Sequence, residues 1–306
     1  MTHAIRRIVL AVLAVGLVTV ACTSSPPNVT RPSGSGKGTI VVGVSGSFTE
    51  SELVAELYAQ VLEHAGYTVQ RQFDLRSREV SQSALESGQI DLKPEYLSSL
   101  LLYLDPNGEH SNDPSTVAAQ DAAQLAPSGI SVLTPSPAQD QNTFVANAQT
   151  AQQYGLTTMS SLAAVANHLT LGAPPECPQR PYCLTGLKDV YDILFWDFVP
   201  LDAGGPKTVE ALQNNSVQIG LLFSTDPSIE ANGFVPLIDD KHLQDAENIT
   251  PVIRTAVLNN EIGRLLDGVG AALTTDNVTA LIGKVVLDGQ DIPTVAKAFL
   301  RANHLL

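Results

Sequence analysis

The first third of the chain alternates between short apolar runs and segments whose apolar residues recur at helical spacing. Residues 39–45 (TIVVGVS) predict a buried strand, residues 53–62 a helix, and residues 67–73 a second strand. A short helix over residues 77–86 and a strand at residues 90–92 follow. This order of elements predicts an open α/β sheet with parallel pairing. Such sheets bind ligands beyond the carboxyl ends of their strands.

Two segments therefore lie at the predicted ligand edge, residues 45–49 and residues 93–99. Thr49 stands three residues before Glu52, which predicts a capping box at the start of the first helix. Free backbone N–H groups at that helix start favour an anionic or hydroxyl-bearing end of a ligand.

A second α/β pattern occupies the middle of the chain. It begins after a break rich in proline and polar residues at 135–142, and a polar stretch at 239–248 can return the chain to the first lobe. A strand over residues 250–257 and three helices then complete that lobe. The pattern predicts two lobes: a discontinuous first lobe of residues 39–138 plus 246–306, and a second lobe of residues 139–245.

The N-terminus has the features of an export signal. Two arginines precede an apolar run at residues 8–20, which is shorter than the roughly 20 residues that span a membrane. The sequence TVAC at residues 19–22 resembles a bacterial lipobox, which predicts a signal peptide at residues 1–21 and a lipid on Cys22. Residues 22–38 are rich in Ser, Pro and Gly and predict a flexible tether. The prediction is a protein held at the outer face of the cytoplasmic membrane. An ordinary secreted protein with an incidental cysteine is the alternative.

The charge balance excludes several classes of partner. The chain has 17 Lys plus Arg against 31 Asp plus Glu, a formal charge of −14. This acidity argues against nucleic acid and against electrostatic attachment to anionic lipid. The sequence contains no GxSxG, GxxxxGK[ST] or HExxH motif, and its histidines are scattered singly. We therefore expect a protein that is not an enzyme and uses no cofactor or metal.

Two further cysteines flank a proline-rich loop. Cys177 and Cys183 stand in the sequence ECPQRPYC, and an exported protein favours a local disulfide between them. Two free thiols and a metal site are the alternatives. Arg180 lies inside this loop and is a candidate contact for an anionic ligand group.

Several motifs resemble those of the osmoprotectant-binding proteins of bacterial ABC importers, the ProX/OpuAC-like family, which bind glycine betaine, proline betaine, carnitine or choline. The matching segments run in order over roughly residues 39–254. They are FTE at 48–50, GQIDLKPEYLSS at 88–99, GLKDVY at 186–191, FSTD at 223–226 and LIDDK at 237–241.

The resemblance implies a two-lobe periplasmic-binding-protein-like fold of type II, with two crossover segments and a central ligand cleft. It implies capture of a glycine betaine-like solute by hinge closure. It further implies delivery to an ABC permease with its ATPase. The alternatives are a less polar or aromatic polyhydroxylated ligand in the same fold, or a sensory or scaffold lipoprotein without transport.

The family holds quaternary ammonium ligands in a cage of aromatic rings, through cation–π attraction and dispersion. Tyr96 matches a cage tyrosine, and Phe144 and Phe223 fall where the family often has tyrosine. Core packing is the alternative role for each ring. Ser99 stands for a threonine of the family pattern.

Three more residues are candidate polar contacts of the same site: Ser47, Asn142 and Arg180. Gly46 falls where many members of the family have a lysine. Loss of that cation and of two phenol groups implies a roomier and less polar site with weak affinity for glycine betaine.

Overall fold

The computed structural model describes residues 36–45, 48–75, 77–108 and 111–306. The predicted signal peptide, Cys22, most of the tether and Ser47 lie outside the described residues. Within those residues, no helix is both long and apolar enough to cross a membrane.

The strands of the described chain form two five-stranded sheets. They are β1 (Thr39–Ser45), β2 (Thr68–Leu75), β3 (Leu92–Tyr96), β4 (Ile130–Val132), β5 (Asn142–Ala146), β6 (Thr170–Ala173), β7 (Asp197–Pro200), β8 (Ile219–Phe223), β9 (Val235–Pro236) and β10 (Ile249–Arg254).

Helices surround both sheets. They are α1 (Thr49–His64), α2 (Arg78–Ser87), α3 (Leu97–Leu104), α4 (Pro114–Leu125), α5 (Ala148–Tyr154), α6 (Met159–Ala163), α7 (Leu184–Tyr191), α8 (Pro206–Gln213), α9 (Ser228–Ala231), α10 (Asn260–Ala272), α11 (Thr275–Val286) and α12 (Ile292–Ala302).

The first sheet has the strand order β2-β1-β3-β10-β4. Strand β1 pairs in parallel with β2 and β3, which confirms the predicted parallel pattern, whereas β10 is antiparallel to both β3 and β4. Helix α1 packs between this sheet and the three C-terminal helices and contributes Leu57, Tyr58 and Leu62 to the largest hydrophobic core. The C-terminal segment therefore completes the lobe that the N-terminal segment begins.

The capping box predicted at Thr49 is wrong. Helix α1 has Phe48 at its N-cap position, and no side chain caps the helix there. Thr49 is already helical, and the Glu52 N–H donates to the Phe48 carbonyl oxygen over 3.2 Å. An aromatic residue holds the N-cap because its ring packs against two other rings at this end of the sheet.

The second sheet has the strand order β7-β6-β8-β5-β9. Strand β6 is parallel to β7 and β8, and β5 is antiparallel to β8 and β9. Apolar clusters cover both faces: Leu221 and Phe144 belong to one, and Val145 and Leu222 to the other. A sheet covered on both faces agrees with its nearly continuous apolar strands.

Two segments connect the sheets and run side by side, residues 133–141 and 237–248. The Asp140 N–H donates to the Glu247 carbonyl oxygen over 3.0 Å, and the Ile249 N–H donates to the Ala138 carbonyl oxygen over 2.9 Å. Two α/β sheets joined by two neighbouring segments form the two-lobe periplasmic-binding-protein-like fold, so the predicted fold class is confirmed.

Candidate functional site

A cavity of about 260 Å³ lies where the two sheets and the connecting segments meet. Helix α3 contributes Ser98 and Ser99, strand β8 contributes Phe223, and the connecting segments contribute Asp140 and Glu247. The loop between Cys177 and Cys183 forms another wall. Both lobes therefore line one cleft cavity, as the predicted fold requires.

The residues predicted as ligand contacts line different cavities. Ser99, Asn142, Arg180 and Phe223 line the cleft cavity. Tyr96 lines a neighbouring cavity, which it shares with Phe48.

Phe144 lies deeper than the predicted aromatic cage. It pairs with Leu221 across the antiparallel strands β5 and β8, and its side chain is only 3% exposed. It packs in the core of the second lobe and does not line the cleft cavity. The ring belongs to the same apolar cluster as Leu162 of α6 and Leu187 of α7.

Three rings meet at the junction of the lobes, and we call Phe48, Tyr96 and Phe223 the aromatic cluster. The ring centroids of Phe48 and Tyr96 are 6.1 Å apart, and those of Phe48 and Phe223 are also 6.1 Å apart. Both pairs meet edge to face, at interplanar angles of 67° and 75°. Sequence reasoning did not single out Phe48, although it stands in the FTE motif.

The phenol of Tyr96 is held by the first turn of α1. Its hydroxyl donates to Glu50 Oε1 over 2.7 Å and lies 3.1 Å from Ser51 Oγ. Burial raises the pKa of Glu50 well above its ordinary value, and the nearby Asp140 raises it further. These two contacts fix the position of the Tyr96 phenol.

The carboxyl group of Asp140 ties the first connecting segment to the end of β8. Thr225 Oγ1 donates to Asp140 Oδ1 over 2.8 Å, and the Thr225 N–H donates to the same oxygen over 3.3 Å. Burial raises the pKa of Asp140, while these hydrogen bonds oppose the rise. The segment that follows Phe223 is thereby anchored.

The hydroxyl of Ser99, predicted as a ligand contact, already has a protein partner. It donates to Glu247 Oε1 over 2.6 Å, and the Ser99 N–H donates to Glu247 Oε2 over 3.2 Å. Burial raises the pKa of Glu247, the bonds from Ser99 oppose the rise, and the pKa of this carboxyl group is about 7. Glu247 thus caps the start of α3 from the second connecting segment, which is favourable at a helix N-terminus.

A disulfide joins Cys177 and Cys183, whose Cα atoms are 5.2 Å apart. The hydroxyl of Tyr182 donates to Asp245, and Gln244 Nε2 donates to the Tyr182 carbonyl oxygen over 3.0 Å. These contacts hold the cysteine loop against the second connecting segment. They place the exposed Arg180 at the wall of the cleft cavity.

Acidic groups dominate the lining of the cleft cavity. Asp140, Glu176, Asp245 and Glu247 face the same space as the single cation Arg180. Negative potential of this kind suits a positively charged ligand group.

Comparisons with known proteins agree with this arrangement. The glycine-betaine-binding protein of Pseudomonas aeruginosa is 30% identical over 277 residues, covering 85% of this chain and 86% of that protein. Glycine betaine-binding protein YehZ of Escherichia coli is 26% identical over 269 residues, covering 83% of this chain and 87% of that protein. A crystal structure of a glycine betaine/carnitine/choline ABC transporter matches with a TM-score of 0.77 at 20% identity, covering 87% of this chain and 99% of that one.

The fold and its interlobe cleft are those of substrate-binding proteins, which bind small molecules outside the cytoplasm and work with the permease components of ABC importers. Residues 38–302 match the family described as the substrate binding domain of ABC-type glycine betaine transport systems. The chain belongs to this family.

Proposed function

We propose that this protein captures a small quaternary ammonium solute between its lobes and delivers it to the permease of an ABC importer. The observation that carries the proposal is the aromatic cluster, which draws Phe48 and Tyr96 from one lobe and Phe223 from the other. A quaternary ammonium group has no N–H to donate, so ring faces and dispersion must supply its binding energy. The carboxylates around the cleft add long-range attraction for the cation.

Hinge closure follows from the same arrangement. Because the rings belong to different lobes, a cation between them contacts both lobes only when the cleft is closed. Such a ligand favours the closed state by its differential affinity for it. The two connecting segments are the natural hinge, since they alone join the sheets within the described chain.

Removing a ring should weaken binding of glycine betaine. Each well-placed ring contributes about 0.5–2 kcal/mol, so Tyr96→Ala and Phe223→Ala should each weaken the affinity by about 2–30-fold in titration calorimetry. Tyr96→Phe should lose less, because it keeps the ring.

Tyr154→Ala is the matched control, since Tyr154 lies at the surface of the second lobe, outside the aromatic cluster and the cleft lining. Wild-type affinity in both Tyr96→Ala and Phe223→Ala would place the ligand elsewhere and contradict the proposed site.

A planar aromatic compound is the alternative ligand, because most of the aromatic cluster is apolar. Two of its three rings, Phe48 and Phe223, carry no hydroxyl, so the cluster also suits a planar, hydroxylated aromatic compound that stacks on them. The same calorimetry with such a compound separates the alternatives. Binding of the aromatic compound without binding of any quaternary ammonium would favour the second class.

We further propose that a lipid on Cys22 holds the protein at the outer face of the cytoplasmic membrane. The support is the lipobox-like TVAC sequence after the short apolar run, followed by the Ser/Pro/Gly-rich tether. Cys22→Ala should move the protein from the membrane fraction to the soluble fraction, because the lipid would supply its membrane attachment. Cys177→Ala is the control that leaves Cys22 intact. A Cys22→Ala protein that still sediments with membranes would disprove the anchor.

A further inference from the structure

Besides the cleft cavity, a groove of about 780 Å³ lies between the two lobes. Helix α11 of the first lobe forms one wall, and α9 of the second lobe lies in the other. Asn142 and Phe223, which pair across β5 and β8, line the cleft cavity, whereas the next residues in the chain, Thr143 and Ser224, line the groove. Successive side chains of an extended chain point to opposite faces, so the cleft and the groove lie on opposite sides of this end of the sheet.

Both lobes are bonded to the first connecting segment at Gln139. Its carbonyl oxygen accepts hydrogen bonds from Ser224 Oγ of the second lobe over 3.0 Å and from Thr275 Oγ1 of the first lobe over 3.3 Å. The Gln139 N–H also donates to Thr275 Oγ1, over 3.2 Å. Because Ser224 and Thr275 both line the groove, the groove borders the segment that we proposed as the hinge. A rotation that brings the lobes together at the cleft therefore moves them apart at the groove.

Helix α11 approaches the second lobe a second time at Gly283. This residue lies about two turns beyond Thr275, or about 12 Å along the helix. A Cβ atom at position 283 would lie 3.5 Å from Cβ of Pro227, at an ordinary van der Waals distance. At about 12 Å from the hinge, each ångström of separation corresponds to about 5° of rotation between the lobes. Because glycine has no side chain, the walls of the groove are free to approach each other here when the cleft opens.

We propose that Gly283 determines how far the cleft can open, and thereby the affinity of the protein for its ligand. The inference rests on the hinge closure of the proposed function. A side chain larger than that of alanine would occupy space that the groove loses when the cleft opens, so it would destabilise open conformations. Closed conformations, in which the groove is wider, would keep room for it. A larger closed fraction of the free protein strengthens the apparent affinity in proportion, because the ligand contacts both lobes only in the closed state.

Gly283→Phe is the test variant. In small-angle X-ray scattering without ligand, its radius of gyration should be smaller than that of the wild type, because its lobes lie closer together at the cleft. In titration calorimetry it should bind glycine betaine about three- to tenfold more tightly, the gain expected when the closed fraction rises by that factor. A substitution that only damaged the fold would weaken binding, so tighter binding separates this role from a structural one.

Gly283→Ala and Val286→Phe are the matched controls. Alanine improves the helix propensity at this position and still fits beside Pro227. Val286 is exposed on the same helix and does not line the groove. Both controls should keep the affinity and the scattering of the wild type. Thermal unfolding shows whether each variant is folded, and Ala280→Phe, which places the same ring elsewhere in the groove wall, replaces Gly283→Phe if that variant does not fold.

The inference is overturned if the phenylalanine variant binds glycine betaine no more tightly than Gly283→Ala does. It is also overturned if the variant scatters as the wild type does, or if Val286→Phe produces the same gain in affinity. A wild type that binds no quaternary ammonium compound would refute the proposed ligand, whereas scattering without ligand would still test the role of Gly283.

Discussion

Replacing Asp91 with alanine is expected to lower the free energy of unfolding by about 3–5 kcal/mol, the range for removing one partner of a buried ion pair. Asp91 is fully buried, and its Oδ1 lies 3.0 Å from Nη1 of Arg254 on β10. Its Oδ2 accepts a hydrogen bond from the Val41 N–H of β1 over 3.0 Å. One carboxylate therefore joins β1 to β10, the two strands that flank β3. Its loss leaves a cation and a backbone donor without their partner.

Urea unfolding of the wild type and Asp91→Ala at constant pH measures this difference. The control is Glu63→Ala, which removes the exposed partner of Arg71 Nη1 at 2.6 Å. An exposed pair of this kind should contribute less than about 1 kcal/mol. A loss below 1 kcal/mol in Asp91→Ala would show that this carboxylate does not tie the strands together.

The second large effect concerns pH. Asp121 on α4 is buried, and neither of its carboxylate oxygens has a hydrogen-bond partner among the described residues. Burial, with smaller contributions from Glu95 and Glu247, raises the pKa of Asp121 to about 8, and Arg78 opposes this rise. The ordinary value is about 4. Between these two values the folded state holds a proton that the unfolded state has released. Stability therefore falls as the pH rises from about 4 to about 8 and levels off above that.

Asp121→Asn should remove this contribution, because an amide cannot ionise. Near pH 4 the variant and the wild type should differ little in their free energies of unfolding. At pH 8 the variant should be the more stable by at least about 2 kcal/mol. Urea unfolding at several pH values measures how the free energy of unfolding changes with pH in the wild type and in the variant. Asp189→Asn, at an exposed position on α7, is the control and should keep the wild-type slope. If the stability of Asp121→Asn depended on pH as that of the wild type does, the pKa of Asp121 would not be raised in the folded state.

The sequence predicted those features of the first lobe that depend on residues close together in the chain, such as the ends of helices. Ser77 and Gly88 mark the ends of α2, as their residue types indicate, with Ser77 as the N-cap and Gly88 in the left-handed conformation. The strand predicted over residues 250–257 is also present, as β10. Its position between β3 and β4 was beyond sequence reasoning, because it depends on pairing with strands more than 100 residues away.

The candidate site shows the same limit. Phe144 and Phe223 both stand on strands of the second sheet, and the sequence does not say which ring reaches the cleft. Phe223 reaches the cleft because it is the last residue of its strand, whereas Phe144 lies in the middle of one. Ser99 was predicted as a ligand contact, but its partner Glu247 is 148 residues away in sequence. Arg78 was not predicted, because it stands in the first turn of a regular helix and only the fold brings it beside Glu95.

The place of β10 also affects the order in which the molecule can assemble during synthesis. The second sheet is built from one continuous stretch of chain, so it can close as soon as that stretch is available. The first sheet cannot close then, because β3 and β4 lack their common neighbour until residues 249–254 emerge. Until that moment β3 has an unpaired backbone edge, the kind of surface that invites aggregation. The first lobe is thus the later of the two to be completed, and its vulnerable period lasts until β10 has been synthesised.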